Sequence, residues 1–232
     1  MKITDRGFTG NMLKMLALIC MTIDHVGLIL LPRYTIMRVI GRLAFPIFAW
    51  MIAEGCRYTR NMGKYLGAMT LLGLPYQAVY TLVVGSLRMN IMLTFAMSVG
   101  LCWLLRTARE KRSTAFGILT LVGVVTVFGM TDVVPLFLKG TDYGIDYGFL
   151  GVMLPVMLYL CKDRKMQLLV AGIMLCLLSL WAGWAVQWCS LLTLPLLALY
   201  NGKRGKAPLK WLFYVYYPAH LVVIWGIRIF ML

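Results

Sequence analysis

The sequence predicts an all-α, polytopic transmembrane bundle of about 8–10 spans with its N-terminus in the cytoplasm. Three observations predict it. First, 61% of the 232 residues are hydrophobic and only 13% are charged, with a mean hydropathy of +0.82; an ordinary soluble domain carries about 25% charged residues. Second, the apolar residues fall in runs of about 17–22, the length that crosses a bilayer as a helix. Third, the basic residues gather in alternate loops, as they do where one face of the membrane retains positive charge.

The runs place spans at 12–31, 36–53, 65–85, 90–105, 113–131, 144–161, 166–183, 184–199 and 211–230. The opening stretch "MKITDRGFTGNMLKMLALICMTIDHVG" has charge and an apolar run but no small-residue cleavage site, so it reads as a retained span. "LWAGWAVQWC" in the seventh and eighth runs suits either an aromatic-rich interfacial turn or part of a long tilted helix. No loop exceeds about 15 residues, which leaves room for no separate soluble domain. Residues 1–232 therefore read as a single integral-membrane domain.

The loops fix the orientation. Lys2, Arg6 and Lys14 lie on one side, followed by loops at 54–64, 106–112, 162–165 and 200–210. Together they hold seventeen of the 23 basic residues. The positive-inside rule puts these in the cytoplasm and, with nine spans, the C-terminus outside. The net charge of +15 is then topology and contact with membrane lipids, and nucleic acid is excluded as a partner. The six cysteines (Cys20, Cys56, Cys102, Cys161, Cys176 and Cys189) are scattered without ligand-like spacing. They read as small buried hydrophobes, and no metal is expected. "LLGLPYQAVY" and "LLTLPLLALY" share LLxLPxxAxY, a match that leucine-rich spans produce by chance.

The first two spans carry charge that a lipid-facing hairpin would not. "MTIDHVGLILLPRYTIMRVIGRLAFPIFAWMIAEG" holds Asp24, His25, Arg38, Arg42 and Glu54. A charged residue at this depth costs about 2.5–3.5 kcal/mol on insertion scales. If the turn centres near Arg33 and Tyr34, His25 lies at the level of Arg42, roughly 9 Å inside the outer end of the first span. Arg38 and Arg42 are four apart and share a helix face. Asp24 paired with either arginine would hold the hairpin together; the excess arginine and the neighbouring histidine fit a polar site. His25 suits proton transfer and an arginine suits an anion or a developing oxyanion.

Three further stretches stand out. "AEGCRYTRNMGKY" supplies Arg57, Thr59, Arg60, Asn61 and Lys64, either a plain cytoplasmic loop or a binding site for cytosolic phosphates. "GTDYGIDYGFLGV" spaces Asp142 and Asp146, and Tyr143 and Tyr147, four apart, as a helix cap or as part of a site. "FYVYYPAHLVVIW" places His220 two residues after Pro218, which frees backbone groups within the last span.

These same residues carry a family likeness. "LKMLALICMTIDHVGLILLP", "MRVIGRLAFPIFAWMIAEGCRYTRNMGKYL", "DYGFLGVMLPVMLYL" and "FYVYYPAHLVVIW" resemble the TraX family over most of the chain, from about 13 to 222. The IDH and GRLAFPxFAxxxxEGxxxTRN stretches are its specific part; residues 91–140 match only in being hydrophobic. The family takes its name from the conjugal-transfer protein that acetylates the N-terminus of F-type pilin, and it looks related to bacterial integral-membrane acyltransferases. The resemblance implies an acetyltransferase of the inner (plasma) membrane. Its donor substrate would be cytosolic acetyl-CoA, and its acceptor an amine or hydroxyl at the outer face, on a pilin or other peptide N-terminus or a glycan. His25, Asp24, Arg42 and His220 are then the catalytic candidates, and Arg38, Glu54, Arg57, Arg60, Asn61, Lys64, Tyr143 and Asp146 the substrate-binding ones. The competing class is a non-enzymatic transporter or assembly subunit whose buried charges carry protons or ions; it would show flux without turnover of CoA.

Overall fold

The computed structural model describes residues 7–206 and 210–231. Lys2, Arg6 and positions 207–209 of the predicted loop 200–210 lie outside the described residues. Helices build the chain: α1 (Gly10–Ile29), α2 (Thr35–Gly41), α3 (Ala44–Tyr58), α4 (Met62–Val84), α5 (Ile91–Lys111) and α6 (Thr114–Phe128) come first. A π-helical turn (Gly129–Val133) leads into α7 (Val134–Phe137). Then come α8 (Gly148–Leu160), α9 (Arg164–Ala182), a 3₁₀ segment (Ala185–Leu192), α10 (Thr193–Ala198) and α11 (Lys210–Met231). Two short strands, β1 (Arg88–Met89) and β2 (Gly144–Ile145), pair in parallel.

Among the described residues, six helical segments are long and apolar enough to cross a membrane: 10–29, 35–58, 62–84, 91–111, 114–137 and 164–182. Three shorter apolar helices cover 148–160, 185–198 and 215–230. Large apolar side chains point outward along them, Leu82 at 85% and Phe230 at 91% exposure. A surface of this kind suits lipid rather than water. The all-α polytopic bundle is as the sequence predicts; of the nine predicted spans, six are long enough to cross a membrane and three fall on the shorter apolar helices.

Boundaries differ where capping chemistry overrides hydropathy. The second helix pair runs on to Tyr58, so Glu54 and Arg57 lie on its last turns and the predicted 54–64 loop shrinks to 59–61. Asn61 then caps α4 by accepting from the Lys64 backbone N–H at 2.8 Å. Likewise α5 continues to Lys111, past the predicted end at 105. The predicted span 144–161 starts later, because Gly144 and Ile145 pair with β1 before α8 begins. The predicted 184–199 span is a 3₁₀ segment followed by α10, separated from α9 by Gly183, which ends α9 at φ +67. The two LLxLPxxAxY stretches differ too, one lying wholly in α4 and the other crossing from 3₁₀ to α-helix.

The chain divides into two compact units, Met1–Met51 with Asp163–Leu232, and Ile52–Lys162. In the first, α1 packs along α2 and against α11, while the 3₁₀ segment packs on α2 and α9. The approach of α1 and α2 is close because α2 contributes Gly41 where a Cβ would overlap the Asp24 side chain. The start of the unit is tied down by backbone bonds, Phe8 to Leu199 and Asn201, and Gly10 to Lys203. In the second unit, α5 packs on α4, α6 and α8. Buried hydroxyls join them: Ser98 donates to the Val152 carbonyl at 2.8 Å and Thr94 to that of Asp146 at 3.0 Å.

Candidate functional site: a charged pair of helices and two histidines

The apolar run from Thr35 to Tyr58 does not form one helix. It breaks at Arg42 and Leu43, after Gly41, and resumes at Ala44 with Pro46 in the first turn of α3. Proline is tolerated there because first-turn N–H groups lack intrahelical acceptors anyway. A helix broken at membrane depth is tolerated where the gap is enclosed by protein or lines a cavity. The Gly-Arg-Leu-Ala-Phe-Pro sequence thus puts Arg42 at a discontinuity inside the first unit.

Asp24, on α1, faces this break. Arg38 Nη1 donates to Asp24 Oδ2 at 2.7 Å. Arg42 Nη2 lies 3.2 Å from both Oδ1 and Oδ2. The side chains of Asp24 and Arg42 are 13% and 11% exposed, so the triad is largely sealed. One carboxylate therefore serves both arginines, and the cluster keeps one net positive charge. Arg42 Nη1 also donates to Gln187 Oε1 of the 3₁₀ segment at 3.3 Å.

His25, the next residue on α1, turns toward α11. Its Nδ1 lies 2.8 Å from His220 Nε2, and His220 Nδ1 lies 2.8 Å from the Tyr216 carbonyl oxygen. Tyr216 stacks on His220 and its hydroxyl meets that of Thr22 at 2.8 Å. The tautomers follow from donor logic. A carbonyl can only accept, so His220 Nδ1 carries the hydrogen. Neutral His220 then presents a lone pair at Nε2, and His25 Nδ1 donates to it. Neutral His25 is left with its lone pair on Nε2, the nitrogen that can take a proton.

The basic cluster of the second unit is built differently. Arg57 Nη1 donates to Glu54 Oε1 at 2.8 Å, and Nη2 donates to the carbonyls of Leu158, Tyr159 and Cys161. The guanidinium thereby caps the C-terminus of α8. Asn61 is the cap of α4. Arg106 Nη1 donates to the Thr59 carbonyl at 2.8 Å and its Nε meets Glu110 at 2.7 Å. Arg60 and Lys64 are exposed.

Tyr143 and Asp146 belong to the β1–β2 region. Tyr143 donates from its hydroxyl to the Met130 carbonyl of the π-helical turn at 3.2 Å, and burial raises its phenol above the ordinary range. Asp146 Oδ1 lies 3.6 Å from Arg88 Nε. Asp142 accepts from the Leu87 N–H at 2.8 Å and from the Ser86 hydroxyl, and those bonds hold its carboxyl below the usual range.

Within the first unit the structure thus gathers Asp24, Arg38 and Arg42 into one cluster, and joins His25 to His220. Sequence reasoning named both histidines among its candidates without pairing them, and missed Gln187 and Tyr216. Each left a faint trace: Gln187 is the lone amide in the apolar run at 184–199, and Tyr216 stands one helical turn before His220.

The fold and this site define a polytopic helical membrane protein with ionised side chains and a histidine pair held inside its helices. The model of the TraX protein family matches residues 9–228, and the chain belongs to that family. It is 27% identical over 244 residues to the probable fimbrial assembly protein FimC, serogroup H1, of Dichelobacter nodosus, an alignment covering 97% of each chain. A protein of Rickettsia prowazekii (strain Madrid E) without an assigned role is 60% identical over 40 residues, 17% of this chain and 16% of its own. No solved structure matches the chain.

Proposed function

We propose that this chain is a membrane-embedded acetyltransferase that moves an acetyl group from cytosolic acetyl-CoA to an amine or hydroxyl at the outer face of the cell membrane. The observation that carries the reading is the directed chain from the Tyr216 carbonyl through His220 to His25, which leaves a basic nitrogen at His25 Nε2. His25 takes the proton from the acceptor as its nitrogen or oxygen attacks the thioester carbonyl. Collapse of the tetrahedral intermediate breaks the carbon–sulfur bond, and the proton passes to the departing CoA thiolate. Arg42, beside Arg38 and balanced by Asp24, stabilises the oxyanion. His220 holds the ring of His25 in its tautomer, as the carboxylate does in a Ser-His-Asp triad. Arg60 and Lys64, exposed in the second unit, are the groups the family resemblance offers to the donor's phosphates. The name of the D. nodosus relative makes a fimbrial or pilin subunit the first acceptor to try.

A second reading draws on the same name: a fimbrial assembly subunit without catalysis. The test is purified protein with labelled acetyl-CoA and pilin-type N-terminal peptides, together with mass spectrometry of surface peptides and glycans from cells with and without this chain. Acceptor-dependent release of CoA supports the enzyme. Assembly defects with no acetyl transfer and no missing acetyl group overturn it in favour of the second reading.

A further inference from the structure

We infer that Gln187, Ser190 and Thr193 form a hydrogen-bonding rail, beside Arg42, for the neutral amide-bearing arm of the acyl donor. This rests on the acetyl-CoA reading above. A 3₁₀ helix has three residues per turn, so side chains three apart eclipse. Gln187 and Ser190 lie in the 3₁₀ segment and Thr193 follows as its C-terminal cap. They line up on one face over about 12 Å at a rise of 2.0 Å per residue. Between Gly183 and Leu199 they are the only amide or hydroxyl side chains.

Their burial is extreme: Gln187 is 4% exposed, Ser190 and Thr193 0%. Gln187 Nε2, Ser190 Oγ and Thr193 Oγ1 nevertheless meet no hydrogen-bond partner among the described residues. Other helical hydroxyls in this chain bond back one turn: Thr22 to Leu18, Ser98 to Thr94, Thr120 to Phe116 and Ser179 to Leu175. Ser190 and Thr193 make no such bond, although both are fully buried. Native interiors rarely leave one such group unmet, and here three stand in register.

The chemistry of the row selects the ligand. Gln187 gives its oxygen to Arg42, so its NH₂ group points the other way and can only donate. Ser190 and Thr193 can donate or accept. None is charged. A carbonyl acceptor followed by groups that both donate and accept describes a chain of amides. The pantetheine arm has two amides and no charge between the nucleotide and the thioester, and a rail running to Arg42 delivers that thioester to the cationic cluster. For the arm to reach the buried row the 3₁₀ segment has to move aside; its bonds are poorer than those of an α-helix and it follows the Gly183 break.

Removing a hydroxyl with no partner leaves stability unchanged or improves it, whereas removing one that binds a ligand weakens the ligand. The test measures dissociation constants of the intact protein in nanodiscs for acetyl-CoA and for adenosine bisphosphate, which lacks the arm. It compares wild type with the Ser190→Ala, Thr193→Val double variant. The expected result is an acetyl-CoA affinity about tenfold weaker, an unchanged bisphosphate affinity and a melting temperature no lower than wild type. Unchanged acetyl-CoA affinity overturns the rail, as does equal weakening of both ligands or a lower melting temperature, which would give the hydroxyls structural partners. Wild-type protein that binds neither ligand refutes the donor reading itself, and the rail falls with it.

Discussion

His25 Nδ1 and His220 Nε2 stand 2.8 Å apart, joining the first described helix of the chain to the last. The pair gives the two histidines unequal tasks. A base contributes about 10²–10⁴-fold to such a reaction, so His25→Gln should lose that much acetyl transfer while keeping its fold. His220→Leu should lose a large part of the rate as well, since His25 Nδ1 then has no acceptor. His220→Gln should recover most of it, because the glutamine oxygen can take the place of Nε2. Turnover with labelled acetyl-CoA checks all three. Full activity in His25→Gln would remove His25 from the chemistry.

Arg57 and Arg60 are three residues apart and should separate cleanly. Arg57→Ala strips the carbonyl cap of α8 and the partner of Glu54, a loss of about 1.5–3 kcal/mol for bonds made by a charged group. Its melting temperature should fall. Arg60→Ala, at an exposed position, should melt like wild type and bind acetyl-CoA about tenfold more weakly. Thermal unfolding and equilibrium binding on both variants decide. Unchanged binding in Arg60→Ala would take this arginine out of the donor site.

Hydropathy revealed the helices because lipid imposes a length and an apolar surface on each. It revealed Asp24, Arg38 and Arg42 as partners because three charges at one depth cannot face lipid separately. It did not reveal the break at Arg42 and Leu43: between its charged residues Arg38, Arg42, Glu54 and Arg57 the run from Thr35 to Tyr58 is apolar, and only Gly41 and Pro46 hint at an interruption. The His25–His220 bond was equally hidden, because 195 residues separate the two and periodicity speaks only of neighbours. Arg57 misled for another reason. Its position among basic residues suggests a phosphate, whereas in the structure its guanidinium meets the Glu54 carboxylate and backbone carbonyls 101–104 residues away.

Topology follows from the basic loops. On a cysteine-free background, Cys at position 110 should react only with reagents supplied from the cytoplasm, and Cys at position 139 only from outside. Labelling of position 110 from outside would invert the bundle.

Asp142 ties the α4–α5 connection to the loop that precedes β2. Its carboxyl is held below the usual range by the Ser86 hydroxyl and the Leu87 N–H. The unfolded chain therefore binds the proton more readily than the folded one. The tether is complete above the ordinary value of 3.8 and is lost as pH falls through the lower folded value. The protection of the Leu87 N–H from hydrogen exchange, relative to an unstructured amide at the same pH, should be high at pH 6 and fall in acid below that range. Asp142→Asn should be weakly protected at both. Equal protection in Asp142→Asn and wild type at pH 6 would show that the carboxylate ties nothing.

Gly41 stands where α2 meets Asp24, and a Cβ at this glycine would overlap the Asp24 carboxyl group and its Cβ. Two effects oppose each other in Gly41→Ala. Alanine favours a helix by about 1 kcal/mol over glycine. Overlap with a packed side chain costs about 1–3 kcal/mol, and here the displaced group is the shared partner of Arg38 and Arg42. Breaking a buried ion pair by removing one partner costs about 3–5 kcal/mol, so even partial displacement outweighs the helical gain. Gly41→Ala should melt well below wild type and lose acetyl transfer, and Asp24→Asn should behave the same way. Gly67→Ala, on α4 with open space around it, carries the same helical gain without the overlap and should melt at or above wild type. If Gly41→Ala matches Gly67→Ala in melting temperature and activity, the close approach of α1 and α2 does not hold the ion cluster.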